Sequence, residues 1–142
     1  MAQEARRRLI ARAEQPAKRA TRGVTFDTGM LIALERRKAT ALALLKACRM
    51  SHAAITIPAS VLAEWWRGTH AAILDIGVLE PLSPKIALRA GELLSQTGKS
   101  NAVDATVVAS AEQRGDLVVT GDLEDLRKIA SVARNVEVAG ID

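Results

Sequence analysis

Short apolar runs rich in β-branched residues alternate along this chain with longer stretches of helical character, and that alternation leaves few folds open. VTFD (24–27), AITIP (54–58), VLEPLS (78–83), DLVVTGD (116–122) and VEVAGI (136–141) read as strands. GMLIALER, ATALALLKACRM, ASVLAEWWRG, PKIALRAGELLSQTG, the stretch from Asn101 to Gly115 and LEDLRKIA read as helices. In several of these, leucines and alanines recur at three- and four-residue steps. Pro58 opens the third helix at a tolerated early position and Gly98 stops the fourth. Strands this short and apolar, separated by helices, pair in parallel in a sheet covered on both faces. The expectation is a three-layer α/β/α domain around a parallel sheet of about five strands.

A chain of 142 residues that is 49% hydrophobic is long enough to bury a real core as one domain. No apolar run nears the ~18 residues of a membrane span, and the polar N-terminus lacks the apolar segment of a secretory signal. Cys48 is the single cysteine, which excludes an internal disulfide and a multi-cysteine zinc site and suits a reducing cytoplasm. His52 and His70 are too far apart for a helical ligand pair and read as surface residues. The net charge of +4 is unevenly distributed. Residues 1–23 hold Arg6, Arg7, Arg8, Arg12, Lys18, Arg19 and Arg22 against Glu4 and Glu14, a balance of +5 that leaves the body at −1. Residues 1–23 are therefore a basic N-terminal extension, with a short helix expected over Gln3–Ala13 and a linker after Pro16, and residues 24–142 are the domain proper. Basic arms are solvated tails or hold nucleic acid through its phosphates.

The carboxylates carry the chemistry. Asp104 stands alone among small and apolar residues in NAVDATVVASA (101–111), and ionised carboxylates are seldom buried unless paired, capping or on a metal. With Asn101 as N-cap, Asp104 falls at N3, an acceptable capping box at the positive end of the helix dipole. Asp27 ends strand one and, before Thr28, also fits an N-cap. Glu64 lies one turn into a helix, where a solvated face is the ordinary reading. Asp122 follows strand four and, with Asp125 three residues on, fits a capping box as well. Parallel sheets, however, bind ligands beyond the carboxyl ends of their strands, where strand order reverses. Asp27, Glu64, Asp104 and Asp122 can all reach that rim. Like charges so close raise each other's pKa and oppose folding unless a cation compensates them. Oxygen-only ligands suit Mg²⁺ or Mn²⁺, and such an ion activates water and neutralises a phosphodiester under in-line attack. No P-loop, G-x-G-x-x-G, G-x-S-x-G or H-E-x-x-H motif competes. Metal-dependent phosphodiester hydrolysis is the leading reading of these residues.

VTFDTGMLIAL, IPASVLAEWWRG, NAVDATVVASA and LVVTGDLEDLRKI, in this order and spacing, resemble the PIN-domain ribonucleases. Within them the likeness is to the VapC-type toxins of bacterial toxin–antitoxin pairs. It covers about residues 24–142, and its specificity lies in the ordered set rather than in any one motif. The resemblance implies a five-stranded parallel sheet and an Mg²⁺- or Mn²⁺-dependent endoribonuclease. By this likeness Asp27, Glu64, Asp104 and Asp122 are the catalytic acids and metal ligands, with Asp27 and Asp104 the firmest. Glu64 orients or deprotonates the attacking water, directly or through a second metal, and Asp122 completes the site. Asp125 is an auxiliary carboxylate, Thr120 the hydroxyl before the last acid, and Thr28 the small polar residue after the first. The implied partners are an RNA substrate, a second protomer in a homodimer, and an antitoxin whose C-terminal segment lies across the active groove. Residues 1–23 depart from the family, whose chains begin within a few residues of strand one; an RNA-contacting arm, a misassigned start or vector-derived residues would each account for them.

Adjacent helical residues point ~100° apart. One of Trp65 and Trp66 is therefore expected to pack with Val61 or Leu62, and the other, beside Glu64, to meet an antitoxin or a second protomer. Two other classes stand beside the enzyme. A non-catalytic PIN-like module, binding RNA or protein, would be favoured by a lost acid, and none is lost. A receiver-type phospho-acceptor domain needs paired acids after strand one and a lysine after the last strand; the chain has only Asp27 in the first place and no such lysine.

Overall fold

In the computed structural model, which describes Gln3, Glu4, Arg7 and residues 22–141, all five apolar runs are strands of one parallel sheet. They are β1 (Val24–Phe26), β2 (Ile55–Pro58), β3 (Val78–Glu80), β4 (Leu117–Thr120) and β5 (Glu137–Gly140). Six α-helices connect them between residues 22 and 141: α1 (Thr28–Glu35), α2 (Ala39–Met50), α3 (Ala59–Trp65), α4 (Pro84–Thr97), α5 (Ala102–Arg114) and α6 (Leu123–Ala130). A 3-10 helix over Ala71–Asp75 is an element that the sequence pattern does not announce. Gln3, Glu4 and Arg7 are helical, and the rest of the helix expected over Gln3–Ala13 lies outside the described residues.

The strand order is β3-β2-β1-β4-β5. The chain winds outward from β1 to β3, then returns and winds the other way through β4 and β5. Right-handed crossovers place the connections of these two halves on opposite faces of the sheet, which gives the expected three layers. Accordingly α1 packs with α2 and α3, while α4, α5 and α6 pack on one another. The central strands β1, β2 and β4 are buried along their whole length, because both faces are covered. Phe26, Met30, Leu31, Leu44, Ile57 and Leu93 are among the largest fully buried side chains. At the edge, β3 exposes Val78 and Leu79.

The helix ends differ from expectation in one place. Pro58 completes β2 and stands at the N-cap of α3, and α3 stops at Trp65 rather than running on to Gly68, because Trp66 is extended (φ −63°, ψ 131°). Trp65 is 6% exposed and joins the core, while Trp66 is 38% exposed. The pair divides as expected, one buried and one exposed, but through the break in the helix at Trp66 rather than the angle between adjacent helical residues. No described helix is long and apolar enough to cross a membrane.

Candidate functional site

The reversal of strand order falls between β1 and β4, and these two strands pair directly, Phe26 opposite Val119. Beyond their carboxyl ends stand Asp27 and, after Thr120 closes β4, Gly121 and Asp122. This is where an open parallel sheet forms its crevice. Asp27 is the N-cap of α1: its Oδ1 accepts the backbone N–H of Met30 at 2.9 Å. Its Oδ2 accepts a short hydrogen bond from the Thr120 hydroxyl. Thr120 Oγ1 in turn accepts the backbone N–H of Asp122 at 2.7 Å. One buried hydroxyl thus ties the end of β1 to the start of α6.

Two glycines permit that closeness. A Cβ on Gly29 would lie 2.7 Å from the backbone nitrogen of Gly121, and one on Gly121 would lie 3.1 Å from the Cα of Gly29. The first turn of α1 therefore rests directly on the β4–α6 turn, backbone on backbone. Sequence reasoning passed over both residues, although each lies within two positions of an acid, in DTG and TGD.

Asp104 comes from the other direction. Arg89, early in α4, pairs with Glu112, late in α5, at 2.7 Å, so the two helices run antiparallel and α5 begins at the rim where the acids lie. Its far end is held by Arg114, which donates to Asp116 at 2.9 Å, to Thr25 at 3.0 Å and to Ser110 at 2.9 Å, and pairs with Glu80. This network anchors the helix that presents Asp104. At the near end, the Asn101 side chain caps α5 by accepting the N–H of Asp104 at 3.0 Å. The backbone of Asp104 serves the cap, and its carboxylate faces the other acids.

Carboxylate oxygens of Asp104, Asp122 and Asp125 lie within 4.8 Å of one another. Asp27 and Glu64 stand outside this triplet. Glu64, exposed on α3, is nonetheless close enough to act on Asp104 electrostatically. Burial first, then the charges of Asp27, Asp122, Glu64 and Asp125, push the Asp104 carboxyl up from 3.8 to about 6. Asp27 is also raised, by its burial above all, against the lowering effect of its hydrogen bonds to Thr120, Met30 and Gly121. Asp125 is held below the ordinary range by Lys99, whose ammonium lies 3.0 Å from it, with a weaker contribution from Lys128. Asp122 occupies the N-cap position of α6, yet its side chain makes no capping hydrogen bond. The Thr28 hydroxyl is buried without a partner among the described residues.

Such a cluster is suited to holding a cation. Oxygen-only ligands that repel one another fit a hard divalent cation, and three carboxylates within reach of one point are enough to hold it. Thiol chemistry is not on offer, since burial pushes Cys48 up to about 11. His70 pairs with Glu35 at 3.3 Å, away from the acids. Arg22 reaches the Gly115 carbonyl at 3.0 Å and Glu137 at 2.7 Å. The N-terminal extension therefore joins β1 at the rim opposite the carboxylates.

The PIN domain family profile matches residues 24–132. No curated relative matches the chain. The VapBC2 structure from Rickettsia felis, bound to a DNA fragment from its promoter, contains a chain with a TM-score of 0.67 at 18% identity, covering 84% of this chain and 98% of that one. A toxin–antitoxin complex from Klebsiella pneumoniae matches with a TM-score of 0.60 at 19% identity, over 80% and 95% of the two chains. FitAcB from Neisseria gonorrhoeae matches with a TM-score of 0.62 at 19% identity, over 83% and 97%. At these identities the solved structures establish a shared fold.

Proposed function

Since the chain belongs to the PIN domain family, we propose that it is an Mg²⁺- or Mn²⁺-dependent endoribonuclease and the toxin of a bacterial toxin–antitoxin pair. The observation that carries the enzymatic reading is the triplet of Asp104, Asp122 and Asp125 within 4.8 Å, backed by buried Asp27. Among the described residues, the cation paired with this triplet is Lys99, and it serves Asp125 alone. Asp104 and Asp122 are thus left with a charge that a divalent ion would balance. That such neighbours are toxin–antitoxin complexes supports the biological role.

In this reading Asp104 and Asp122 hold the ion together with Asp27; Asp125, the third member of the triplet, is partly drawn off by Lys99, and Glu64 stands at the margin. When bound, the ion neutralises charge on the phosphodiester and makes a water more acidic. The protein's own groups do the rest. Thr120 holds the Asp27 carboxyl through its hydroxyl, opposing the burial that raises its pKa, and fixes the Asp122 backbone. Asn101 fixes the first turn of α5, and with it the backbone from which Asp104 projects. Glu64, exposed and free of the tight triplet, is the group placed to orient the attacking water and accept its proton. Exposed Trp66, two residues from Glu64, would meet an antitoxin laid across the groove or the second protomer of a homodimer. A cytoplasmic location is consistent with an unpaired Cys48.

The test is cleavage of single-stranded RNA with and without Mg²⁺ or Mn²⁺, by the parent and by Asp104→Asn. Cleavage is expected to need the metal and to be lost in the variant. A variant that cuts as well as the parent would overturn the assignment of Asp104, and a parent that never cuts would leave a binding module.

A further inference from the structure

Beside the acids, the end of α4, the α4–α5 loop and the last turn of α6 border an open cavity of about 450 Å³, lined by Gln96, Thr97, Gly98, Lys99, Lys128 and Ser131 among others. Its charged lining residues are Lys99 and Lys128, and no carboxylate lines it among the described residues. A second cavity, of about 530 Å³, shares Lys128 and Ser131 with the first and adds Arg127 and Glu124 along α6. The first cavity adjoins the carboxylates through one contact. Lys99 Nζ lies 3.0 Å from Asp125 Oδ1, and Asp125 belongs to the triplet with Asp104 and Asp122.

We propose that this cavity seats a backbone phosphate of the RNA strand, adjacent to the phosphate held at the carboxylates, with Lys99 and Lys128 as its ligands. The inference rests on the nuclease reading and adds to it a direction: the strand leaves the acids over the end of α4 and the outer face of α6. A rim of carboxylates repels a polyanion everywhere except where a cation compensates it, so the strand needs a positive exit close by. Lys99 has three N–H donors, and the ion pair with Asp125 uses one of them. Lys128 is exposed, with its ammonium uncommitted to any ion pair among the described residues. The hydroxyls of the lining donate inward, Thr97 to the Leu93 carbonyl at 2.8 Å and Ser131 to the Lys128 carbonyl at 2.6 Å. The cationic groups that can meet an anion are the two lysines, with the Gln96 amide beside them. An ammonium is a compact point charge suited to phosphate. The lining holds no aromatic residue and only Val132 as an apolar side chain, so it lacks the anchor that a protein partner would bury.

The test measures binding of a short fluorescein-labelled single-stranded RNA by anisotropy across a salt titration. The full-length chain carries Asp104→Asn, so that the RNA stays intact. Lys99→Ala and Lys128→Ala are compared with Lys46→Ala, an exposed lysine of α2 far from the cavity, and Lys128→Glu provides a charge reversal. Each cavity lysine removed should weaken binding and flatten the log–log salt dependence by about 0.7 per lost phosphate contact, whereas Lys46→Ala should keep the parent's slope. Cavity variants with the parent's slope, or a Lys46→Ala variant that loses as much, would overturn the proposal. So would variants that keep RNA binding but lose binding of polyglutamate, an outcome that assigns the cavity to an acidic protein segment. The nuclease reading is judged separately by cleavage in the parent. Metal-dependent cleavage with unchanged slopes sinks the cavity alone, and flattened slopes without cleavage sink the nuclease and keep the RNA site.

Discussion

Replacing Asp104 by Asn should make the metal-free protein more stable at neutral pH, although it removes an acid from the first turn of a helix. Burial and four neighbouring carboxylates raise the Asp104 carboxyl from 3.8 to about 6. A group with a raised folded pKa holds its proton longer in the native state than in the unfolded one, so its stabilising contribution is complete below pH ~4 and is lost as the pH climbs through ~6. Fully shielded, a shift of about two units corresponds to ~3 kcal/mol. Asp104 is only half-buried, and solvent screening leaves about half of that. Against this, an anion at N3 gains ~0.5 kcal/mol from the helix dipole. The cap itself survives, because Asn101 bonds the backbone N–H of residue 104 and not its side chain. The balance is about 1 kcal/mol in favour of the variant, or roughly 3–4 °C in melting temperature. Urea unfolding in EDTA at about pH 7.5 and about pH 4 measures it. Parent and variant should converge at the lower pH, where Asp104 is already protonated. A variant no more stable than the parent at neutral pH would show that Asp104 is chiefly a helix cap, and an equal gain at both values would show that charge is not the cause.

Saturating Mg²⁺ or Mn²⁺ should relieve the same repulsion in the parent, stabilising it by about 2.7 kcal/mol at a hundredfold excess over Kd; a calorimetric scan should find no such gain in Asp27→Asn/Asp104→Asn. Thr120→Val removes the hydroxyl shared by Asp27 and the Asp122 backbone. It should cost about 1–3 kcal/mol in denaturant titrations and weaken Mn²⁺ binding measured by calorimetry, while unchanged metal affinity would exclude a positioning role for Thr120. Gly29→Ala should force the backbone of Gly121 to move, since the added Cβ would lie 2.7 Å from its nitrogen. The expected cost is about 1–3 kcal/mol, together with loss of metal-induced stabilisation, and a well-folded variant that still binds metal would argue that the close approach is incidental.

The strands and helices were legible because their signals are local. VTF, ITIP and LVVT are apolar and β-branched whichever strands they pair with, and Gly98 and Gly115 end α4 and α5 with φ of 69° and 71° as the pattern suggests. The capping readings were local too, and two of them hold alongside the clustering. Asp27 caps α1 through its side chain, and Asn101 caps α5. Asp122 departs from that pattern, standing at the cap position of α6 without a capping bond.

What the sequence determined by itself is therefore the inventory: five short strands, helices between them, and acids at the strand ends and helix starts where a parallel sheet puts its crevice. Which acids meet was decided only in three dimensions. Asp125 stands with Asp104 and Asp122 inside 4.8 Å, while Asp27 is set beneath them by Thr120. The reason is physical. These distances depend on the reversal of strand order between β1 and β4, on the contact of Gly29 with Gly121, and on the Arg114 network that anchors α5 from its far end. Each joins residues distant in the chain, and no local period or motif encodes a contact of that kind. The ion pair of Lys99 with Asp125, twenty-six residues apart, belongs to the same class, and it is the link between the acids and the basic cavity next to them.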